Sequence, residues 1–302
     1  MKFGRVENPS LVDHQIPQSF KWGSFEQKSA DSEKGLTVYF GAPAWGDRGY
    51  IGKIYPPKTK PSDYLYHYSR QFTCIELNTM YYRIPKTPTI EKWIEQVPDS
   101  FRFCPKWPQS ITNRKVLESQ SELTDRFFNT LLLFQEKLGT TFIQLPSHFS
   151  TERGKELFTF LGELPSDIPV NVEFRHPSWF ESQAIKDRLF EKMDELGLGM
   201  VITDTSGRRD VLHNMVTAQK VFIRFTGNSL HKSDYQRLED WAARISKWCT
   251  KAVQEVYFIF HQPEEHYCVD AAIYLSGKMK DFEISTQAPK VISQSNQSNL
   301  FV

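Results

Sequence analysis

Short apolar runs recur along the middle of the chain, each closed by polar residues or by Pro or Gly. They are LTVYFGA (36–42), TCIELN (73–78), FRFCPK (101–106), TTFIQLP (140–146), VNVEFRH (170–176), GMVITDT (199–205), KVFIRFTG (220–227) and EVYFIFHQ (255–262). Their length and β-branched or aromatic content predict strands. Most are continuously apolar rather than alternating, which predicts burial on both faces, as in a parallel sheet.

Most of the gaps carry helical spacing. Ser62 opens SDYLYHYSRQF, and Thr87 or Thr89 is placed to cap TIEKWIEQV. Leu123, Phe127, Leu131, Phe134 and Leu138 fall on one helical face before Gly139, and Leu238, Trp241, Ile245 and Trp248 on another. A further helix is predicted through Ala184–Leu196, stopped by Gly197. Strand–helix alternation predicts an α/β fold with right-handed crossovers. Eight runs without a glycine-rich dinucleotide fingerprint favour a single (β/α)8 TIM barrel over a doubly wound sheet. The gap SGRRDVLHNMVTAQ (206–219) is too short for a crossover helix, so an irregular crossover is predicted between strands 6 and 7.

The ends differ from this middle. Residues 1–35 are polar, with no sustained period, and read as an N-terminal extension. The barrel domain is expected over 36–280, followed by a flexible C-terminal tail, 281–302, rich in Ser, Gln and Asn.

Composition narrows the function. Lys and Arg number 37 against 36 Asp and Glu, a net charge of +1, which argues against nucleic-acid binding through bulk charge. No apolar run is long enough to span a membrane, and the start lacks a signal-peptide core. Cys74, Cys104, Cys249 and Cys268 form no CxxC pair, so neither structural zinc nor a disulfide framework is expected. A cytoplasmic protein fits these features.

In such a barrel, chemistry belongs at the carboxyl ends of the strands. These ends carry Trp45, Glu76 and Asn78, Lys106, Gln144, Glu173 with Arg175 and His176, Asp204, Arg224, and His261 with Gln262. Charged groups inside apolar runs are rare unless paired or used. They form either a structural ion-pair web or a site. Glu76, Glu173, His176 and Asp204 are the candidate catalytic groups. Lys106, Arg175, Arg208 and Arg224 would converge on one anion, most simply a phosphorylated ligand. A mixed set of Glu76, Glu173, Asp204 and His261 or His266 is suited to Mn, Mg or Zn, but no local metal motif accompanies it, so no metal ligand is assigned and the cofactor is left unknown. There is no P-loop, and the serines lack a nucleophile elbow.

The blocks GAPAW with IYPP, Ile75-Glu-Leu-Asn, Tyr81-Tyr-Arg-Ile-Pro, Val172-Glu-Phe-Arg-His-Pro-Ser-Trp, Asp204-Thr-Ser-Gly-Arg-Arg and Val221-Phe-Ile-Arg-Phe-Thr-Gly resemble the YecE-like family, domain-of-unknown-function family 72. The resemblance covers about residues 36–280. It implies a TIM barrel described as sugar-isomerase-related, without a settled activity. Matching positions carry Trp45, Asn78, Tyr82, Lys106, Gln144, Arg175, Arg208 and Arg224 over as ligand-binding candidates. The last block, FHQPEEHYC, departs from the family pattern and favours His266 over His261.

Two functions follow. One is an enzyme, isomerase-like or a metal-assisted hydrolase or lyase, acting on a phosphorylated or otherwise anionic sugar-like small molecule. The alternative is a nucleic-acid-binding or nuclease-like barrel, its cations on phosphates and its aromatics on bases. A non-catalytic binder of a small ligand is the third option.

Overall fold

The structure, a computed structural model, describes residues 4–17, 19–28 and 35–292; residues 1–3, 18 and 29–34 of the expected extension and 293–302 of the expected tail lie outside them. Each of the eight apolar runs forms a strand: β1 (Thr37–Ala42), β2 (Cys74–Leu77), β3 (Arg102–Pro105), β4 (Thr141–Gln144) and β5 (Val170–Glu173), then β6 (Gly199–Met200) and β7 (Ile202–Thr205) from one run broken at Val201, then β8 (Lys220–Thr226) and β9 (Glu255–His261). Every pairing between them is parallel. The ladders form a six-stranded sheet, β3-β2-β1-β9-β8-β7, and a three-stranded sheet, β4-β5-β6. Isolated bridges Phe103–Leu138 and Lys106–Phe142 join β3 to β4, and the Val201 amide donates to the Val172 carbonyl oxygen (3.0 Å) where β6 passes into β7.

Helices fill the gaps in order: α1 (Tyr64–Tyr68), α2 (Thr87–Gln96), α3 (Glu122–Leu132), α4 (Gly154–Gly162), α5 (Gln183–Glu195), α6 (Lys232–Trp248) and α7 (Tyr267–Lys280). Ser121 and Ser182 cap α3 and α5 by accepting from the Thr124 and Ile185 amides. At α2 the expected threonine cap is absent: Lys86 is the N-cap residue, without a side-chain bond, and Thr87 already lies in the helix. Leu238, Trp241, Ile245 and Trp248 of α6 are all buried. Between β7 and β8 there is no α-helix, only a short 3-10 turn and the strand Met215–Val216.

N-terminal residues cover that gap. Lys21–Trp22 pairs in parallel with Met215–Val216, and Phe20 and Trp22 pack edge-on against Trp248. Upstream, Arg209 donates to the carbonyl oxygens of His14 and Gln15, and the Gly207 amide to that of Gly4. At the other end Thr286, Gln287, Lys290 and Ile292 hydrogen-bond to Ser276, Arg70, Gln71 and Lys53.

Two apolar cores result. The larger lies between strands and helices. The smaller comprises Tyr39, Cys74, Cys104, Phe142, Val201, Phe222, Tyr257 and Ile259, all on strands except Val201 at the break between β6 and β7. Side chains alternate along a strand, so residues two further on share the face of this inner cluster. Those residues are Glu76, Lys106, Gln144, Thr203, Arg224 and His261.

Candidate functional site

That second layer is polar and bonded into one network. Arg224 donates to both oxygens of Glu76 (2.9 and 3.1 Å) and, through Nη1, to both oxygens of Glu173 (2.9 and 3.0 Å). The hydroxyl of Thr203 donates to Glu173 (2.8 Å), and the amide of Gln144 donates to its other oxygen. Asn78 donates to Glu76 (3.0 Å), and His261 Nε2 lies 3.0 Å from the same carboxylate. At the edge, Lys106 donates from Nζ to Gln144 Oε1 (2.8 Å) and sits 4.1 Å from the centre of the Tyr81 ring.

Electrostatics follow from burial and proximity. Burial, the largest single effect, would push the Glu76 and Glu173 carboxyls up, but it is outweighed by Arg224 acting with His261 at Glu76 and with Arg175, Gln144 and Thr203 at Glu173. Glu76 is held well below the carboxylate range and Glu173 at about 2, with Arg175 adding to the pull. The same pair raises Arg224 against its own burial. His261 is lowered, by burial first and then by Arg224, against the opposing pull of Glu76. Lys106 is moved toward neutrality: burial, then Arg224, with Arg175 contributing, bring it from 10.5 to about 8 against the pull of the two glutamates.

Not every candidate joins this network. Asp204 points to the other face of β7, where it binds Arg209, Arg237 (3.1 Å) and the Trp241 indole (2.8 Å) against α6. Strand alternation is the reason: Thr203 faces inward, so Asp204 cannot. A metal set including Asp204 is therefore not assembled, and Arg224 is the cation between Glu76 and Glu173. Among the described residues no group of three His, Cys, Asp or Glu side chains could hold a metal ion. His176 caps the turn Pro177–Phe180 by accepting from the Ser178 amide. His266 stands at the start of α7 with its ring on Tyr267, so His261 and not His266 reaches the network. Trp45 packs edge-on against Trp93, and Tyr82 is 73% exposed. Arg208 clasps Asp210 and donates to the Arg175 carbonyl oxygen (2.8 Å), which places it at the rim. Arg175 lies beyond Glu173, its pKa lowered by burial and by Arg224 and Arg208 against Glu173. Thr203 is absent from the sequence candidates, and Tyr81 enters there only as the first residue of the Tyr81-Tyr-Arg-Ile-Pro block. Thr203 was legible from strand parity, two positions after Val201, whereas nothing in the local sequence marks Tyr81.

An α/β chain of parallel strands with a polar layer at their carboxyl ends is thus defined. The chain belongs to the family described as protein of unknown function DUF72, whose model matches residues 39–294. It is 26% identical over 245 residues to the UPF0759 protein YecE of Escherichia coli strain K12, covering 75% of this chain and 87% of that protein. It is 25% identical over 281 residues to the UPF0759 protein YunF of Bacillus subtilis strain 168, covering 84% and 98%. A solved DUF72 family protein, EF0366 from Enterococcus faecalis V583, superposes with a TM-score of 0.65 at 22% identity, covering 84% of this chain and all of that one. Among the described residues no helix is long and apolar enough to cross a membrane.

Proposed function

We propose that residues 36–280 form a closed (β/α)8 barrel that binds a small anionic, sugar-like molecule at the carboxyl ends of its strands. The bridges from β3 to β4, the passage of β6 into β7 and the shared inner cluster support closure. The observation that carries the ligand class is the crowding of Lys106, Arg175 and Arg224. They come from three strand ends yet lie close enough that Arg224 lowers the pKa of both the others. Three cations against the Glu76 and Glu173 carboxylates leave one positive charge in excess, which an anion would relieve. Cysteines kept as free thiols fit a cytoplasmic setting.

The test is thermal unfolding in phosphate against sodium chloride of equal ionic strength. A ligand bound only by the folded state stabilises it saturably, by about 2.7 kcal/mol at a hundred times Kd. Phosphate should raise the melting temperature of the wild type, and Arg175→Gln should lose that rise. A flat response, or tight DNA binding with a steep salt dependence, would overturn the reading.

A further inference from the structure

We propose that Lys106 is a carbonyl-trapping amine that forms a Schiff base with a small aldehyde or ketone carrying an anionic group. The inference deepens the anion-site reading and rests on it. Its starting point is the partner of the lysine. Gln144 Oε1 accepts from Nζ at 2.8 Å, and Gln144 cannot turn its amide round, because its Nε2 is engaged by Glu173. Lys106 is therefore held by a neutral acceptor. A carboxylate in that position would lock the ammonium as an ion pair, whereas an amide oxygen accepts from –NH3+ and, more weakly, from –NH2. The groups facing the amine are Arg224 and Arg175 as cations, the Glu76 and Glu173 carboxylates, and the Tyr81 ring. Both carboxylates are bonded to Arg224 and still pull Lys106 toward its charged form, but burial together with the Arg224 and Arg175 cations outweighs them. Desolvation beside a second cation is one of the ways a lysine is made nucleophilic.

Access is governed by one side chain. Lys106 is 5% exposed and lies under Tyr81, which belongs to the short helix Thr79–Tyr82 directly after β2. The Tyr81 ring is half-buried, and its hydroxyl accepts from Asn113 at 3.2 Å. Rotation of this ring uncovers Nζ without disturbing a strand. In the step itself the Nζ lone pair forms a bond to the carbonyl carbon. The carbonyl oxygen becomes a hydroxyl and departs as water, carrying both amine protons, and a C=N bond remains. No oxidant or metal is consumed. The anionic end of the substrate lies toward Arg175.

The experiment uses the full chain with glycolaldehyde phosphate and sodium cyanoborohydride, which reduces an imine to a stable secondary amine, read by intact mass and peptide mapping. Lys106 should be labelled at least tenfold faster than any other lysine at pH 7.5. The rate should rise to its half-maximum near pH 8, and inorganic phosphate should slow it. Lys106→Arg should lose the fast phase. Should that variant fail to fold, phosphate protection of Lys106 in the wild type decides the matter. Labelling spread evenly over the lysines overturns the inference. If phosphate still stabilises the protein in that case, the anion site stands and only the amine chemistry falls; if phosphate has no effect either, both fall.

Discussion

Arg224 meets Glu76 through two near-parallel hydrogen bonds, Nε to Oε2 at 2.9 Å and Nη2 to Oε1 at 3.1 Å, with both side chains shut off from water. Only a planar guanidinium makes this fork, and its remaining nitrogen serves Glu173. One cation therefore bridges two buried carboxylates. Arg224→Met should cost at least about 3–5 kcal/mol in urea unfolding, because it strands both. Glu76→Gln, which leaves Arg224 with Glu173, should cost clearly less. Equal losses would mean that the two carboxylates do not share the arginine.

Acid should unfold the protein in two stages. His213 is stacked under Phe180, with Nδ1 accepting from the Met215 amide and Nε2 3.0 Å from the Val201 carbonyl oxygen, and burial takes its pKa from 6.5 to about 4. Above pH 6.5 neither folded nor unfolded chain holds the extra proton. Between 6.5 and 4 the unfolded chain binds a proton that the folded chain refuses, so stability falls as pH drops through that window, by about 3 kcal/mol in all. Glu173 acts lower. Its folded pKa of about 2 lies below the ordinary 4.5, so its contribution is present above 4.5 and is lost as pH falls toward 2. His213→Asn retains an acceptor for the Met215 amide and should shrink the upper stage to what His261 contributes, leaving the lower stage in place. A wild-type melting temperature that stays flat from pH 6.5 to 4.5 would refute this assignment.

Asp204 provides the control that separates structure from site. It is fully buried among Arg209, Arg237 and Trp241, on the face of β7 away from Arg224. Asp204→Asn should lower stability by roughly 3 kcal/mol, since Arg209 loses its counter-charge and Arg237 keeps only Asp234. The phosphate-induced shift of the melting temperature should survive unchanged in size. Its loss would place Asp204 in the ligand site after all.

Gly41 occupies a position where no side chain fits. A Cβ there would lie 2.7 Å from both the carbonyl oxygen and the sulfur of Cys74 on the neighbouring strand. The oxygen is backbone and cannot turn aside. Gly41→Ala should therefore cost about 1–3 kcal/mol by overpacking, measured by thermal or chemical unfolding. A neutral result would show that β1 and β2 can spread apart at this point.

The strands were legible because each is an apolar run bounded by breakers, and parallel burial on both faces leaves that mark in the sequence. Helices α4 and α7 were harder to see. The first is nine residues that begin and end on glycine, and the second buries Cys268, Val269, Ala271, Ala272, Leu275 and Met279, too broad an arc for a clean amphipathic stripe. At the site, Glu76, Lys106, Gln144, Glu173 and Arg224 could be read as polar intrusions at strand ends. Asp204 was grouped with them because proximity to a strand end was weighed without parity. Counting in twos from Val201 selects Thr203, and counting in twos from Ile259 selects His261. The place of Tyr81 over Lys106 depends on a loop conformation that no periodicity encodes.

The N-terminal segment that covers the missing crossover carries a consequence of timing. Gln15 and Arg209 are 194 positions apart, and Lys21 pairs with a strand at Met215. On a ribosome adding about 5–20 residues per second, the segment waits roughly 10–40 s for its partners to emerge. Closing so long a loop also makes this contact a late one in folding. A strongly apolar segment left exposed for that interval would invite aggregation. Apart from Ile16, Phe20, Trp22 and Phe25, residues 13–28 include Asp13, His14, Gln15, Lys21, Ser24 and Glu26, a make-up that tolerates water until the rest of the chain arrives.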